Sequence, residues 1–277
     1  LKAVNYTEHK PHPILDEAVK CFWTHEGTYS PDKIHPITPD GCIELIFNFG
    51  SPYRLLSRTP PQTLPPAIVV GFQKETLPIS VDGTVKVVAA RMFPWGALAL
   101  LQDEVRVLTG QIKDLGPSWD ALTGELKDHV TAGRYELACQ RLQDYLLQKA
   151  LTRSYEAQLV QSAAKLLFHT KGQCRVEELA DYCHTSVRQL QRHFDQAIGV
   201  SPKFYARTIR FEQAQRRLMF HPDTDLTALA YDCGYFDQAH FIKDFRAFTG
   251  RTPSQFAKEM QDLRHDLSTR ALPDGGD

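Results

Sequence analysis

Residues 176–205 read VEELADYCHTSVRQLQRHFDQAIGVSPKFY, and residues 226–256 read LTALAYDCGYFDQAHFIKDFRAFTGRTPSQF. The two stretches are copies of one unit. Val176, Leu179, Ala180 and Cys183 return as Leu226, Leu229, Ala230 and Cys233 at an offset of 50. After one inserted residue, Leu190, Phe194, Gly199, Pro202 and Tyr205 return as Phe241, Phe245, Gly250, Pro253 and Phe256 at an offset of 51. Such self-similarity marks a repeated supersecondary unit. In each copy the first apolar set falls at i, i+3, i+4 and i+7, one face of a short helix. A break follows at His184 or Gly234-Tyr235, and then a second helix carries an apolar pair four residues apart. That order predicts two helix-turn-helix units.

The boundaries of the second helices are written locally. Ser186-Val187-Arg188-Gln189 predicts a capping box in which hydroxyl and amide satisfy orphan backbone donors. Gly199 and Gly250 suit left-handed caps, and Ser201-Pro202 and Thr252-Pro253 each place a cap residue before a proline that opens the next helix. Between the units, Phe204 to Met219 reads as one amphipathic helix carrying Arg207, Arg210, Arg216 and Arg217. At 1.5 Å per residue it can hold the units roughly 25–35 Å apart. B-DNA repeats every ~34 Å, so the two second helices, about residues 186–198 and 237–249, can enter successive major grooves of double-stranded DNA.

Residues 155–260 resemble the DNA-binding domain of the AraC/XylS family of bacterial transcription regulators. The likeness rests on Ala230-Tyr231-Asp232-Cys233-Gly234-Tyr235-Phe236-Asp237-Gln238-Ala239-His240-Phe241-Ile242-Lys243-Asp244-Phe245-Arg246, on Gly250 to Phe256, and on Leu190-Gln191-Arg192 with Gly199-Val200-Ser201-Pro202 in the first unit. The resemblance implies groove-facing side chains at Val187, Arg188, Gln191 and Arg192, and at Gln238, Ala239, His240 and Lys243. Arg and Lys can read guanine O6 and N7, and Gln can pair with adenine N6 and N7. Many family members have a small hydroxyl residue where His240 stands and Arg where Lys243 stands, and Lys is a point donor in place of a planar fork. Ser186, Arg207 and Arg251 are the candidate phosphate contacts. Residues 155–260 hold 14 Lys and Arg against 12 Asp and Glu. A net charge of +2 predicts modest non-specific affinity, with acidic residues segregated away from the phosphates.

The preceding 150 residues read differently. Ile43–Phe49, Ala67–Phe72 and Val85–Ala90 look like strands, Pro60, Pro61, Pro65 and Pro66 lie in a loop, and helical periodicity sets in after about residue 94. The fold class expected is therefore α+β: a β-rich first domain over 1–150 with trailing helices, then an all-α domain over 155–260, and a polar, frayed tail over 261–277. The boundary falls in the polar stretch Gln148 to Ser154. Leu122, Leu126 and Val130, then Leu137, Ala138, Leu142, Tyr145 and Leu146, form apolar stripes that either pack within their own domain or meet a second copy in a homodimer. Pro39 to Gly50 and Ala90 to Ala97 resemble motifs of an uncharacterised N-terminal domain of some AraC-type regulators. For a small-molecule effector the candidate pocket residues are His35, Glu44 and Arg91, with the alternative that Glu44 and Arg91 are scaffold and that His35 and Cys42 have no chemical role.

At about 150 residues per domain, 277 residues suit two domains that need no staples. The apolar run Met92 to Leu101 is too short to span a bilayer, and Leu1 to Asn5 has no secretory core. The expectation is a cytoplasmic protein with no membrane partner. Six scattered cysteines without a Cys-x-x-Cys pair predict free thiols and no metal. There is no Gly-x-Ser-x-Gly elbow, phosphate-binding loop, His-Glu-x-x-His helix or dinucleotide fingerprint, so neither catalysis nor a cofactor is expected. The reading is a sequence-specific transcription regulator, modulated through its first domain, that would meet RNA polymerase if it activates. The competing reading is an enzyme or small-molecule-binding domain tethered to DNA by the helical units.

Overall fold

The computed structural model describes residues 5–31, 33–101, 105–151 and 158–270. The first half of the chain forms strands β1 (Asn5–His9), β2 (Val19–Tyr29), β3 (Ile34–Ile37), β4 (Ile43–Asn48), β5 (Arg54–Leu55), β6 (Gln62–Thr63), β7 (Ala67–Val70), β8 (Leu77–Ser80) and β9 (Gly83–Met92). Helices α1 (Pro94–Leu100) and α2 (Val105–Leu108) follow, then strand β10 (Ile112–Asp114). Next come α3 (Asp120–Thr131) and α4 (Tyr135–Leu151). The rest is helical: α5 (Gln158–His169), α6 (Val176–Tyr182), α7 (Val187–Ile198), α8 (Pro202–Phe220), α9 (Leu226–Asp232), α10 (Gln238–Thr249) and α11 (Pro253–Arg270).

The large sheet has the order β1-β2-β9-β4-β7-β10, and a smaller one has the order β3-β8-β5-β6. Side chains alternate across the large sheet, as a period of two requires. Ile43, Leu45, Phe47, Val88, Ala90 and Met92 face the helices. Ile46, Ile68, Val70, Val85, Val87 and Ala89 face the small sheet. The large sheet is thus buried on both faces.

The three strands expected from the sequence are present as β4, β7 and β9. The expectation of helix after residue 94 needs correcting, because β10 returns to the sheet and pairs antiparallel with Ile68–Val70. Three residues are too few to show a period. Most of the apolar stripes of α3 and α4 are covered within the chain: Leu122, Leu126, Val130, Ala138, Leu142 and Leu146 belong to the core between helices and sheet, and Tyr145 packs partly buried against it. Leu137 stays exposed on α4. The same core continues through Val160 and Leu167 of α5 to Leu190, Phe194 and Tyr205 of the first helix-turn-helix unit, so no break in packing separates the two halves there. The second unit has its own core of Phe211, Leu218, Phe241, Phe245 and Phe248.

Part of the expected boundary, together with the domain start expected at 155, lies at 152–157, outside the described residues, as do residues 1–4 and 271–277 of the two termini. The frayed tail expected from 261 differs from the structure, where α11 continues to Arg270. All six cysteines are free thiols, and no described helix is long and apolar enough to cross a membrane.

Candidate functional site

Both second helices begin and end as their local sequence dictates. Ser186 caps α7 by accepting the Gln189 N–H at 3.3 Å, and Asp237 caps α10 by accepting the His240 N–H at 2.6 Å. The capping box expected at Ser186 is only half built. The Gln189 carboxamide oxygen accepts from the Thr185 and Ser186 hydroxyls, not from the Ser186 N–H. Gly199 and Gly250 close the two helices at φ of 80° and 74°. The turns match as well: His184 and Gly234 stand at the same point with φ of 49° and 76°, and the next N–H donates to Ala180 and Ala230 respectively. Glycine adopts that conformation without strain; histidine does so at some cost.

The helical period then divides inside from outside. Leu190, Phe194 and Ile198 anchor α7, and Phe241, Phe245 and Phe248 anchor α10. On the opposite face Arg188, Gln191 and Arg192 are exposed, and so are Ala239, His240 and Lys243; Val187 and Gln238 are half-buried. Positions three and four apart share a helix face, so each helix presents one continuous polar strip. His240 is partly engaged, its ring set edge-on to Tyr235 and its Nε2 3.8 Å from Asp244.

The arginines divide by partner. Arg207 is committed inside the protein: Nε and Nη2 donate to the two oxygens of Asp244 at 3.0 and 2.8 Å, and the guanidinium lies 5.6 Å from the Phe204 and Phe248 rings. Asp244 is 4% exposed, so this bidentate pair neutralises a buried charge. That geometry corrects the expectation of a free phosphate ligand at Arg207. Arg251 is exposed and pairs with Glu259. Ser186 is exposed at the head of α7. Arg210 donates to the Gly172 carbonyl at 2.6 Å and covers the Tyr235 ring, which joins α8 to both units. Sequence reasoning passed over Phe236, which is 87% exposed in the turn before Asp237.

The β-rich half holds both α7 and α10 by their C-terminal ends. The Thr76 N–H and hydroxyl both donate to the Phe248 carbonyl of α10, at 3.1 and 2.7 Å. The Thr109 hydroxyl donates to the Ile198 carbonyl of α7. These bonds satisfy carbonyls that a helix end leaves without a partner.

A cavity of about 610 Å³ opens between the two sheets and the C-terminal half of α8. Ile46, Ile68, Val70, Leu64 and Ile79 make its apolar walls, and Glu212, Gln215, Met219 and Phe220 close it from α8. Lys20 pairs with Glu212 at 3.5 Å, and the Thr38 hydroxyl donates to Gln215 at 3.1 Å, so its rim is already bridged. At the polar end Glu44 and Arg91, register partners on β4 and β9, meet at 2.6 Å. Trp23 Nε1 donates to the same Glu44 oxygen, and Asp40 lies 3.3 Å from Arg91. Burial lifts the Glu44 carboxyl above the usual range while Arg91 pulls it back. Burial, with Asp40 beside it, holds the Cys42 thiol well above its ordinary value, so it is no thiolate nucleophile.

The structure therefore brings Glu44 and Arg91 together at the cavity. His35 is not among its lining residues; it packs edge-on against Tyr29 on the small sheet, 4.6 Å between ring centroids. Among the described residues no group of three His, Cys, Asp or Glu side chains is placed to hold a metal ion.

Comparison with known proteins agrees with this architecture. Residues 179–259 match a family described as a helix-turn-helix domain, and residues 7–114 match a domain of unknown function. The chain is 32% identical over 139 residues to the HTH-type transcriptional activator RhaS of Enterobacter sp. (strain 638), which is 49% of each chain. It is 32% identical over 147 residues to RhaS of Citrobacter koseri, 52% of this chain and 49% of the relative. The chain thus spans about half the length of the curated relatives it matches. Among solved structures, ToxT from Vibrio cholerae O395 superposes with a TM-score of 0.51 at 11% identity, covering 86% of this chain and 98% of that one. ToxT bound to (E)-4-(8-methylnaphthalen-1-yl)but-3-enoic acid gives 0.50 at 12% identity, over 86% and 99% of the two chains. At such identity the likeness shows the fold alone. Over about half of its length the chain is thus similar to HTH-type transcriptional activators, and residues 179–259 match a helix-turn-helix family.

Proposed function

We propose that this protein is a sequence-specific DNA-binding transcription regulator that places α7 and α10 in successive major grooves of one duplex face. The observation that carries the reading is the pair of equivalent helices, each anchored by its apolar face and each presenting an uncovered polar strip, joined by the single helix α8. Arg188, Gln191 and Arg192 read one half-site, and Gln238, Ala239, His240 and Lys243 the other, with Val187 and Phe236 supplying apolar contact to thymine methyl groups. Ser186, the N-terminus of α10 and Arg251 position the phosphates. That role for Arg251 requires it to leave Glu259.

The cavity under α8 is the regulatory site in this reading. A ligand acts by binding one arrangement of the β-rich half and α8 more tightly than another. Thr76 and Thr109 carry the change to the ends of α10 and α7. ToxT, which has the same fold, is known bound to a small aromatic acid, and this supports a ligand-responsive role for the cavity.

Selection of bound duplexes from a random library, at about 150 mM salt, tests the reading. The expected result is a motif with two half-sites about one helical turn apart. Arg192→Ala and Lys243→Ala should each blur one half-site and cost about 1–3 kcal/mol. Enrichment of no motif by the full-length protein or by residues 155–260, or uniform weakening by both variants, would overturn it.

A further inference from the structure

The cavity beneath α8 is charged in a way that selects its occupant. Three carboxylates surround the one guanidinium at its polar end: Arg91 lies 2.6 Å from Glu44, 3.3 Å from Asp40 and 3.9 Å from Glu8. Lys20 stands near Asp40 and pairs with Glu212, and the exposed Arg216 also lines the cavity, so four carboxylates, Glu8, Asp40, Glu44 and Glu212, face three cations, Lys20, Arg91 and Arg216. An anion entering the Arg91 end would pass three like charges, and like charges a few ångströms apart in a partly buried site repel strongly. A cation would find one carboxylate more than the cations already there. Aromatic rings stand beside them: Tyr6 and Trp23 pack at 5.8 Å between centroids, and Tyr53 lines the same space. Ring faces attract ammonium groups. Beyond this end the walls are aliphatic, and a volume of about 610 Å³ lies within the range of small-molecule sites.

We infer that the cavity binds an organic cation, an ammonium or amidinium head carried on an apolar body. The inference rests on the reading that this cavity is the regulatory site. The head sits among Glu8, Asp40 and Glu44 against Tyr6 and Trp23, and the body runs along Ile46, Ile68 and Val70 toward Met219 and Phe220 of α8. Occupancy thus touches the β-rich half and the helix that joins the two DNA-reading units.

A matched series tests the sign of the charge: 4-phenylbutylamine, 4-phenylbutanol and 4-phenylbutyrate, titrated calorimetrically into the full chain at neutral pH. The amine should bind at least tenfold more tightly than the alcohol, and the carboxylate more weakly than either. Glu8→Gln, at a half-exposed side chain that folding tolerates, should weaken the amine several-fold and leave the alcohol unchanged. Equal binding of all three, preference for the carboxylate, or no binding of the amine overturns the assignment. The same preparation is put through the duplex selection. A lost motif with amine binding intact counts against the DNA reader alone, and a retained motif without amine binding counts against the ligand class alone. Amine binding that leaves duplex affinity unaltered keeps the ligand class and removes the cavity's regulatory role.

Discussion

Arg207→Ala is expected to destabilise the protein by about 3 kcal/mol or more, the range for stranding a buried charge by removing its partner. Asp244 is 4% exposed and receives both of its strong hydrogen bonds from Arg207. Its other neighbour, His240, stands too far away for a strong hydrogen bond. The guanidinium also covers Phe204 and Phe248, so the substitution removes packing as well as charge. Urea unfolding should show the loss as a lower midpoint. Asp244→Ala introduced into the same chain should recover a substantial part of it, because removing both members leaves no unpaired charge. A phosphate contact behaves otherwise. Its loss would leave the midpoint in place, weaken DNA binding evenly across sequences and lower the salt slope by about one. That outcome would refute the structural role.

Gly71→Ala should be comparably damaging. A Cβ at Gly71 would stand 1.8 Å from the Leu108 carbonyl oxygen and 2.4 Å from its carbon, which are backbone atoms with no rotamer to yield. Overpacking ordinarily costs about 1–3 kcal/mol, and a clash with main chain belongs at or above the top of that range. The displacement has a direction. Leu108 ends α2, and the next residue, Thr109, holds the Ile198 carbonyl and touches Gly199 at the end of α7. Moving α2 therefore disturbs the first reading helix before the second. The expected result is a lowered melting temperature together with a motif blurred in the half-site read by α7 and retained in the half-site read by α10. A variant with unchanged melting would show that the approach of Gly71 to Leu108 does not constrain the fold.

The contrast between these two sites separates local from long-range information. The caps at Ser186, Gly199, Ser201 and Gly250 were legible, because each acts on backbone groups within a few residues of itself; Asp237, which caps α10, was not singled out. The inward faces were legible for the same reason: a 3.6-residue period needs only a dozen residues to declare itself. The strand β2 was not. Its residues are buried on both faces, Phe22 toward the helices and Trp23 toward the small sheet, so the alternation that marks a half-exposed strand is missing. The fate of Arg207 was equally hidden. Its partner lies 37 residues away, on a helix whose sequence alone reads as a solvated face.

The sequence by itself determined that there are two helix-turn-helix units, roughly where α7 and α10 run, and which of their residues turn inward, since all of these follow from caps and period within one unit. Tertiary structure decided the rest. It packed α3 and α4 against the sheet, tied the ends of α7 and α10 to Thr109 and Thr76, drew Arg207 inward, and gathered Glu8, Asp40, Glu44 and Arg91 around one cavity. Those residues come from different strands and loops, and only the packing of one element on another brings them within range of each other's charge.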